Sequence, residues 1–324
     1  MTIMGKIEKG IICLFCALLG GCSTASQEPP PPLSKMMKVL STTAMIGDLV
    51  AKVGGERVQG GVLIMGEIDP HSYELVKGDD EKINEASVVF FSGLNLEHGA
   101  SLRHKLSLHP HAISLGDTIR KELPNRILLE QGQVDPHIWM DISLWSYAIE
   151  PISQALSAQD PEGKAYYAQR AHEAFLELMK SHEMVRAQMQ KIPEEKRYLV
   201  TSHDAFAYFT RAYLSTDEEF LTDDWKKRMA APEGFAPEGQ LGAADLQKII
   251  DYLIQHRGQV VFPESNVSPD ALRKIVSACK EKGMNIHISP ESLYGDSMGP
   301  PGSMAGSYPG MVEYDAMILQ NEWK

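Results

Sequence analysis

From Lys38 onward the chain alternates short apolar runs with longer stretches of helical period. "KVLSTT" from Lys38, "GVLIM" from Gly61, "SVVFFSG" from Ser87 and "HAISLG" from His111 are rich in Val, Ile and Phe and stop at Gly or polar residues, which predicts strands. Helical patterns lie between them, among them Ile46 to Val53 and Ala100 to Leu108. The second half repeats the style, with "YLVTS" from Tyr198, "QVVFPES" from Gln259 and "MNIHIS" from Met284. Two helical segments, "AADLQKIIDYLIQH" and "SPDALRKIVSACKEKG", separate these; in the latter Ser268 is expected to cap, Pro269 to open the helix and Gly283 to end it. Strands alternating with helices predict βαβ units and mostly parallel sheets, an α/β fold.

The segment between the halves has a different texture. From Pro161 to about Lys191 it has no glycine after Gly163 and is rich in Ala, Glu, Leu, Met, Gln, Lys and Arg, with Asp160 as cap and Pro161 at the first helical position. One unbroken helix of that length would run on the order of 45 Å. The pattern therefore predicts two α/β lobes, residues 37–159 and 193–324, joined by one long connecting helix over 160–192.

The N-terminus does not belong to this body. Lys6 and Lys9 precede an apolar run from Ile11 to Leu19, and small residues lead to Cys22, the anatomy of a secretory leader over residues 1–21. The run is shorter than the roughly 20 residues a membrane-spanning helix needs. Leu19-Gly20-Gly21-Cys22 resembles the lipobox of bacterial lipoproteins, in which Cys22 becomes the lipidated first residue and anchors the chain to a membrane. After it comes a tether over 22–36 that contains Pro29 to Pro32 and favours extended polyproline II.

Composition narrows the function classes. At 324 residues, 43% hydrophobic and 23% charged, the chain can bury two ordinary cores. The net charge of -12 is spread along the sequence with no basic, aromatic-interleaved patch, which argues against nucleic acid as a partner. Of the four cysteines, Cys13 and Cys16 lie in the leader and Cys22 at the lipobox, leaving Cys279 alone in the body, so no disulfide framework is expected within one chain.

The candidate chemistry is histidine. The tripeptide Asp-Pro-His occurs twice, in "EIDPHSYE" with His71 and in "QVDPHIWM" with His137, each time between an apolar run and a helical one. His71 follows "GVLIM"; His137 precedes a helix expected from about Ser143, with Leu144, Ala148, Ile152 and Leu156 on one stripe. His203, in "YLVTSHDAFAYFTRAY", follows a strand and precedes a helix with Phe206, Phe209 and Tyr213 on its inner face. Ligands of open parallel sheets collect at the carboxyl ends of strands, so three imidazoles at such ends suggest a metal site across a cleft. Proline stiffens the turn that presents each histidine. Spacing alone leaves open that Asp-Pro is merely a common turn and the histidines incidental, since no HExxH or CxxC pattern is present.

A resemblance goes further. "DPHSYE", "GLNLEHGASL", "DPHIWMD", "RYLVTSHDAFAYFTRAY", "AADLQKIIDYLIQ", "ESNVSPDALRKIV" and "SLYGDSMG" are similar, in order from about Lys38 to the C-terminus, to the metal-binding lipoproteins of zinc and manganese ABC transporters, the TroA-like solute-binding proteins. The resemblance implies one metal ion held in the interlobe cleft by His71, His137, His203 and Asp296. Taken alone, Asp296 among glycines and serines is a turn former. Glu264, at the end of a predicted strand, is a candidate to accept from a ligand imidazole and fix its tautomer. His98, His104, His109 and His111 are dispersed and read mainly as surface or packing residues.

Three imidazoles and a carboxylate suit zinc, manganese or ferrous iron and not the all-oxygen shells of calcium or magnesium. Histidine at position 203, where some manganese members of the resembled family carry glutamate, leans toward zinc. The histidine-free "KELPNRILLEQGQV" lacks the His-rich loop of dedicated zinc members, and the cargo stays open among Zn2+, Mn2+ and Fe2+. The expected function is a non-enzymatic, monomeric, extracytoplasmic binding protein at the periplasm or cell surface that delivers the ion to an ABC transporter permease. The alternative is a zinc-dependent hydrolase using the same residues, for which the sequence offers no general-base motif.

Overall fold

The computed structural model describes residues 36–236 and 242–324. The leader, Cys22 and the tether up to Lys35 lie outside the described residues. The first half opens with β1 (Met37–Ser41), α1 (Ala44–Gly54), β2 (Val58–Val62), α2 (Asp79–Glu85), β3 (Val88–Phe91), α3 (Ala100–Leu108), β4 (Ala112–Ser114) and α4 (Leu115–Glu122). The four strands form a parallel sheet in the order β2-β1-β3-β4. Both faces are covered, which explains the continuous apolar runs: Val39, Val88 and Phe90 point into the main core, while Leu40 and Val89 meet Ile83, Leu102 and Leu106 on the other side.

Several boundaries differ from the sequence expectation, each for a local reason. The edge strand starts at Val58 rather than Gly61, because Gly60 and Gly61 pair with Val39 and Leu40 of β1. "HAISLG" is split: the Ser114 hydroxyl accepts the Asp117 N–H and opens α4 inside the expected strand. A two-residue hairpin, β5 (Leu129–Glu130) and β6 (Gln133–Val134), turns on Gln131 and Gly132, both at positive φ, and leads into the second Asp-Pro-His. The helix after it starts at Ile142, capped by Asp141, and runs as α5 (Ile142–Trp145), a 3-10 turn over 146–148 and α6 (Ile149–Gln159). Pro151 supplies no N–H to the preceding turn, which accounts for that interruption.

The connecting helix α7 (Lys164–Met189) follows a 3-10 turn, Pro161–Gly163, in which the Asp160 side chain accepts the Gly163 N–H. Its 26 residues span about 39 Å. Tyr167, Ala171, Ala174, Leu178, Ser181, Val185 and Met189 are its buried stripe, at spacings of three and four. This stripe packs on α1, α5 and α6 of the first half and on α12 of the second. Leu178 is fully buried there, so Leu178→Ala should destabilise the protein by about 2–5 kcal/mol, read as a lower urea midpoint at unchanged m-value.

The second half contains β7 (Leu199–Val200), α8 (Ala207–Phe209) continued by a π-helical turn Thr210–Leu214, α9 (Asp217–Phe220), β8 (Met229–Ala230), α10 (Ala243–Gln255), β9 (Val260–Val261), α11 (Asp270–Glu281), β10 (His287–Ile288) and α12 (Tyr308–Glu322). Pro269 sits at the cap of α11 rather than inside it. The strands form two parallel pairs, β7-β8 and β9-β10. The Phe262 N–H donates to the Val200 carbonyl at 2.8 Å and links them. The resulting sequence β8-β7-β9-β10 repeats the strand order of the first half. One core cluster runs through both halves, from Val39, Phe90 and Trp145 by way of Leu178 to Leu199, Phe262 and Tyr308.

Candidate metal centre

Each candidate ligand stands just past the carboxyl end of a strand or on the loop that follows. Beyond β2 the chain keeps pairing, Leu63 to Ser41 and Ile64 to Thr42, before it turns at Asp69-Pro70-His71. There Asp69 Oδ1 accepts the His71 N–H at 2.8 Å. The second copy repeats the device, with Asp135 Oδ1 accepting the His137 N–H at 2.9 Å. The aspartate of the tripeptide thus closes an Asx turn that fixes the histidine backbone. In the second copy the same oxygen also lies 2.7 Å from His137 Nδ1, which leaves Nε2 to face the cleft.

His203 follows β7. Its N–H donates to Glu264 Oε1 at 2.8 Å, and its Nδ1 lies 2.8 Å from Glu264 Oε2. Asp296 comes from the loop after β10. The Trp139 indole N–H donates to the Gly295 carbonyl at 2.8 Å, the Tyr294 N–H to Asp315 Oδ1 at 2.9 Å, and Asn266 Nδ2 to Asp296 Oδ2 at 3.2 Å. At Gly295 a Cβ would come within 2.5 Å of Glu264 Oε2, so only glycine lets this loop lie against the glutamate.

The four side chains converge. One donor atom from each of His71, His137, His203 and Asp296 lies within 4.8 Å of all the others, and the residues are only 0–3% exposed. His71 Nε2 is 3.2 Å from His137 Nε2; Asp296 Oδ1 is 3.3 Å from His137 Nε2; Asp296 Oδ2 is 3.0 Å from His203 Nε2 and 3.6 Å from His71 Nε2. Separations of this size are the edges of a tetrahedron about 2 Å in radius, the bond length of a transition metal to nitrogen and carboxylate oxygen. His203 Nε2 and Asp296 Oδ1 are buried without a hydrogen bond, and both residues belong to the converging set. Such orphaned atoms are expensive unless a ligand takes them.

The electrostatics point the same way. Burial pushes the His71 imidazole below its usual range, with Asp296 opposing. Burial acts equally on His137, but Asp296 and Asp135 outweigh it and hold the ring at about 9. Glu264 and Asp296 likewise overcome burial and raise His203 well above 6.5. Asp296, despite its burial, is kept well below the ordinary carboxylate range by His203 and His137. The carboxylates of Asp296, Asp135 and Glu264 thus favour positive charge at His137 and His203.

The structure thus brings together His71, His137, His203 and Asp296 and sets Glu264 behind His203. Three contributors had no signal of their own in the sequence reading. The stiff turn was visible in the tripeptide, but not the local contact of Asp135 with the backbone N–H and ring of His137, nor the tertiary contacts of Asn266 and Trp139. Removing that carboxylate by Asp135→Asn should weaken metal binding about 10- to 100-fold in a chelator-competition titration; an unchanged affinity would leave Asp135 a turn former only.

Comparison with known proteins fits this geometry. The family described as zinc-uptake complex component A, periplasmic, matches residues 39–322. The metal-binding protein YtgA of Chlamydia trachomatis is 39% identical over 293 residues, covering 90% of this chain and 89% of its own. The manganese-binding lipoprotein MntA of Bacillus subtilis is 31% identical over 310 residues, covering 94% and 95%. The crystal structure of Fe(III)-bound YtgA from Chlamydia trachomatis superposes with a TM-score of 0.83 at 36% identity, over 89% of this chain and 98% of that one. With its twin parallel sheets, its long bridging helix and a match over nearly the whole body, this chain belongs to the periplasmic zinc-uptake component A family.

Proposed function

We propose that the protein captures one divalent transition metal ion outside the cytoplasm, with His71, His137, His203 and Asp296 as ligands, and delivers it to the membrane permease of an ABC transporter. The carrying observation is the convergence of four buried donors from both halves on one point. It performs no covalent chemistry: its relatives are binding components of metal transporters, and in streptococci they are named metal ABC transporter substrate-binding lipoproteins. The cargo is zinc, manganese or iron. The three-nitrogen, one-carboxylate set suits all three, and the relatives span them: a zinc-uptake family, a manganese-binding lipoprotein and an Fe(III)-bound structure. Glu264 orients His203 through its ring and its backbone N–H together.

The same reading assigns residues 1–21 to a leader and 22–36 to a tether lipidated at Cys22. The bodies 37–159 and 193–324 act as lobes on the connecting segment 160–192, in a monomer anchored at the periplasmic or outer cell surface. No helix of the described residues is long and apolar enough to cross a membrane, so attachment would fall to the lipid. Calorimetric titration of metal-free protein with Zn2+, Mn2+ and Fe2+ should give one site per chain for at least one of them. Absence of binding by all three, or binding that survives combined alanine replacement of the four ligands, would sink the assignment.

A further inference from the structure

The four ligands are almost sealed from solvent, which raises the question of how a hydrated ion reaches them. His71 lines a cavity of about 510 Å³ whose other walls include Asn95, His98, Asp117, Arg120 and Pro136. Six waters at about 30 Å³ each make a hexahydrated cation of roughly 180 Å³, which such a space accommodates. The ion must then exchange its waters for protein donors one at a time.

His98 is placed to begin that exchange. Its ring centroid is 5.8 Å from that of His71. The three ligand imidazoles stand 5.2, 5.4 and 6.3 Å from one another, a range that includes the spacing of His98 from His71. The backbones are joined too, with the His98 N–H donating to the His71 carbonyl at 3.3 Å. The loop before His98 is unusual: Gly93, Leu94 and Asn95 all hold positive φ, of 72°, 52° and 66°. Two consecutive non-glycine residues in that region are held at a conformational cost, which the surrounding structure maintains where it positions something. Here the turn carries a half-buried imidazole to the rim of the cavity, beside the one ligand of the four that lines it.

We propose that His98 and His71 form a transient acquisition site, where an incoming divalent transition metal ion first trades water for imidazole nitrogen before passing to the buried set. His71 belongs to both pairs, so transfer needs the exchange of His98 for the remaining ligands and never leaves the ion fully unbound. The inference rests on the four-residue metal site proposed above. A residue that binds only along the path, and not in the final complex, speeds capture and release by the same factor and leaves equilibrium affinity unchanged.

The test is stopped-flow binding of Zn2+ to the metal-free full chain, followed by tryptophan emission, with release measured by a chelator chase, for wild type and His98→Gln. Both rate constants should fall together by about tenfold, the low end of what loss of one metal-orienting group causes, with the equilibrium constant unchanged. Unaltered rates, or a weaker equilibrium constant at unchanged association rate, would overturn the acquisition site. A wild-type chain that failed to bind zinc, manganese or iron would instead overturn the four-residue reading, so the two failures are distinguishable.

Discussion

His203→Ala should weaken metal binding by at least about a hundredfold. A structural zinc site is worth about 10–16 kcal/mol, so one of four ligands carries roughly 3 kcal/mol, and each 1.4 kcal/mol is tenfold. His203 is the ligand for which the expectation is clearest. Its Nε2 is buried without a hydrogen bond, 3.0 Å from Asp296 Oδ2, and its Nδ1 lies against Glu264. Removing the ring also strands Glu264, which is 2% exposed and would keep only the His203 backbone N–H as a donor from that residue. The variant should therefore melt lower even without metal, and affinity must be compared by competition titration on folded protein. A dissociation constant within a few-fold of wild type would remove His203 from the ligand set.

The second large effect is that of pH. Metal binds neutral imidazole, so every proton the free site holds must be expelled. His137 is held at about 9 and His203 well above 6.5, so both carry protons in the metal-free protein at neutral pH. His71, pushed below its usual range, is neutral at pH 7, and Asp296 is ionised throughout. Displacing the His137 proton alone makes the apparent affinity rise about tenfold per pH unit between pH 6.5 and 8, and displacement from His203, also raised, steepens that slope. The metal-free protein has the opposite trend. A histidine whose folded value is raised contributes stability that is complete below 6.5 and lost as pH rises through about 9. Melting curves should accordingly show the unloaded protein weakening over that window while the metal-induced rise in Tm grows. Affinity that is flat from pH 6.5 to 8.5 would contradict proton displacement from these rings.

How much of this was legible in the sequence differed by element. The run Ser87 to Phe91 identified a strand because both faces of the sheet are buried, and the composition after Gly163, free of glycine and rich in Ala, Glu and Leu, identified the long helix. The edge strand was misplaced because Gly60-Gly61 has the composition of a turn and is extended only through its neighbour β1. The strands of the second half have just two paired residues each, too few for a period; β7, β9 and β10 were found through their apolar flanks, and β8 (Met229–Ala230) was not expected. The helix after His203 was legible as an apolar face, Phe206, Phe209 and Tyr213, but not as a π turn, which no spacing encodes. For the site, the doubled tripeptide flagged two histidines at strand ends. That they meet His203 and Asp296 depends on how two sheets face each other, and only the resemblance to a known family carried that information in advance.

The unbroken core has a consequence for anyone who would take the molecule apart. Phe90 and Trp145 from one end of the chain, and Phe262 and Tyr308 from the other, share a single apolar interior with the bridging helix between them. A fragment cut on either side of that helix would expose a face rich in aromatic rings and would aggregate rather than stand alone. Recombining this chain with a relative to alter its metal preference should therefore exchange loops at the cleft and leave the spine with both its flanks intact.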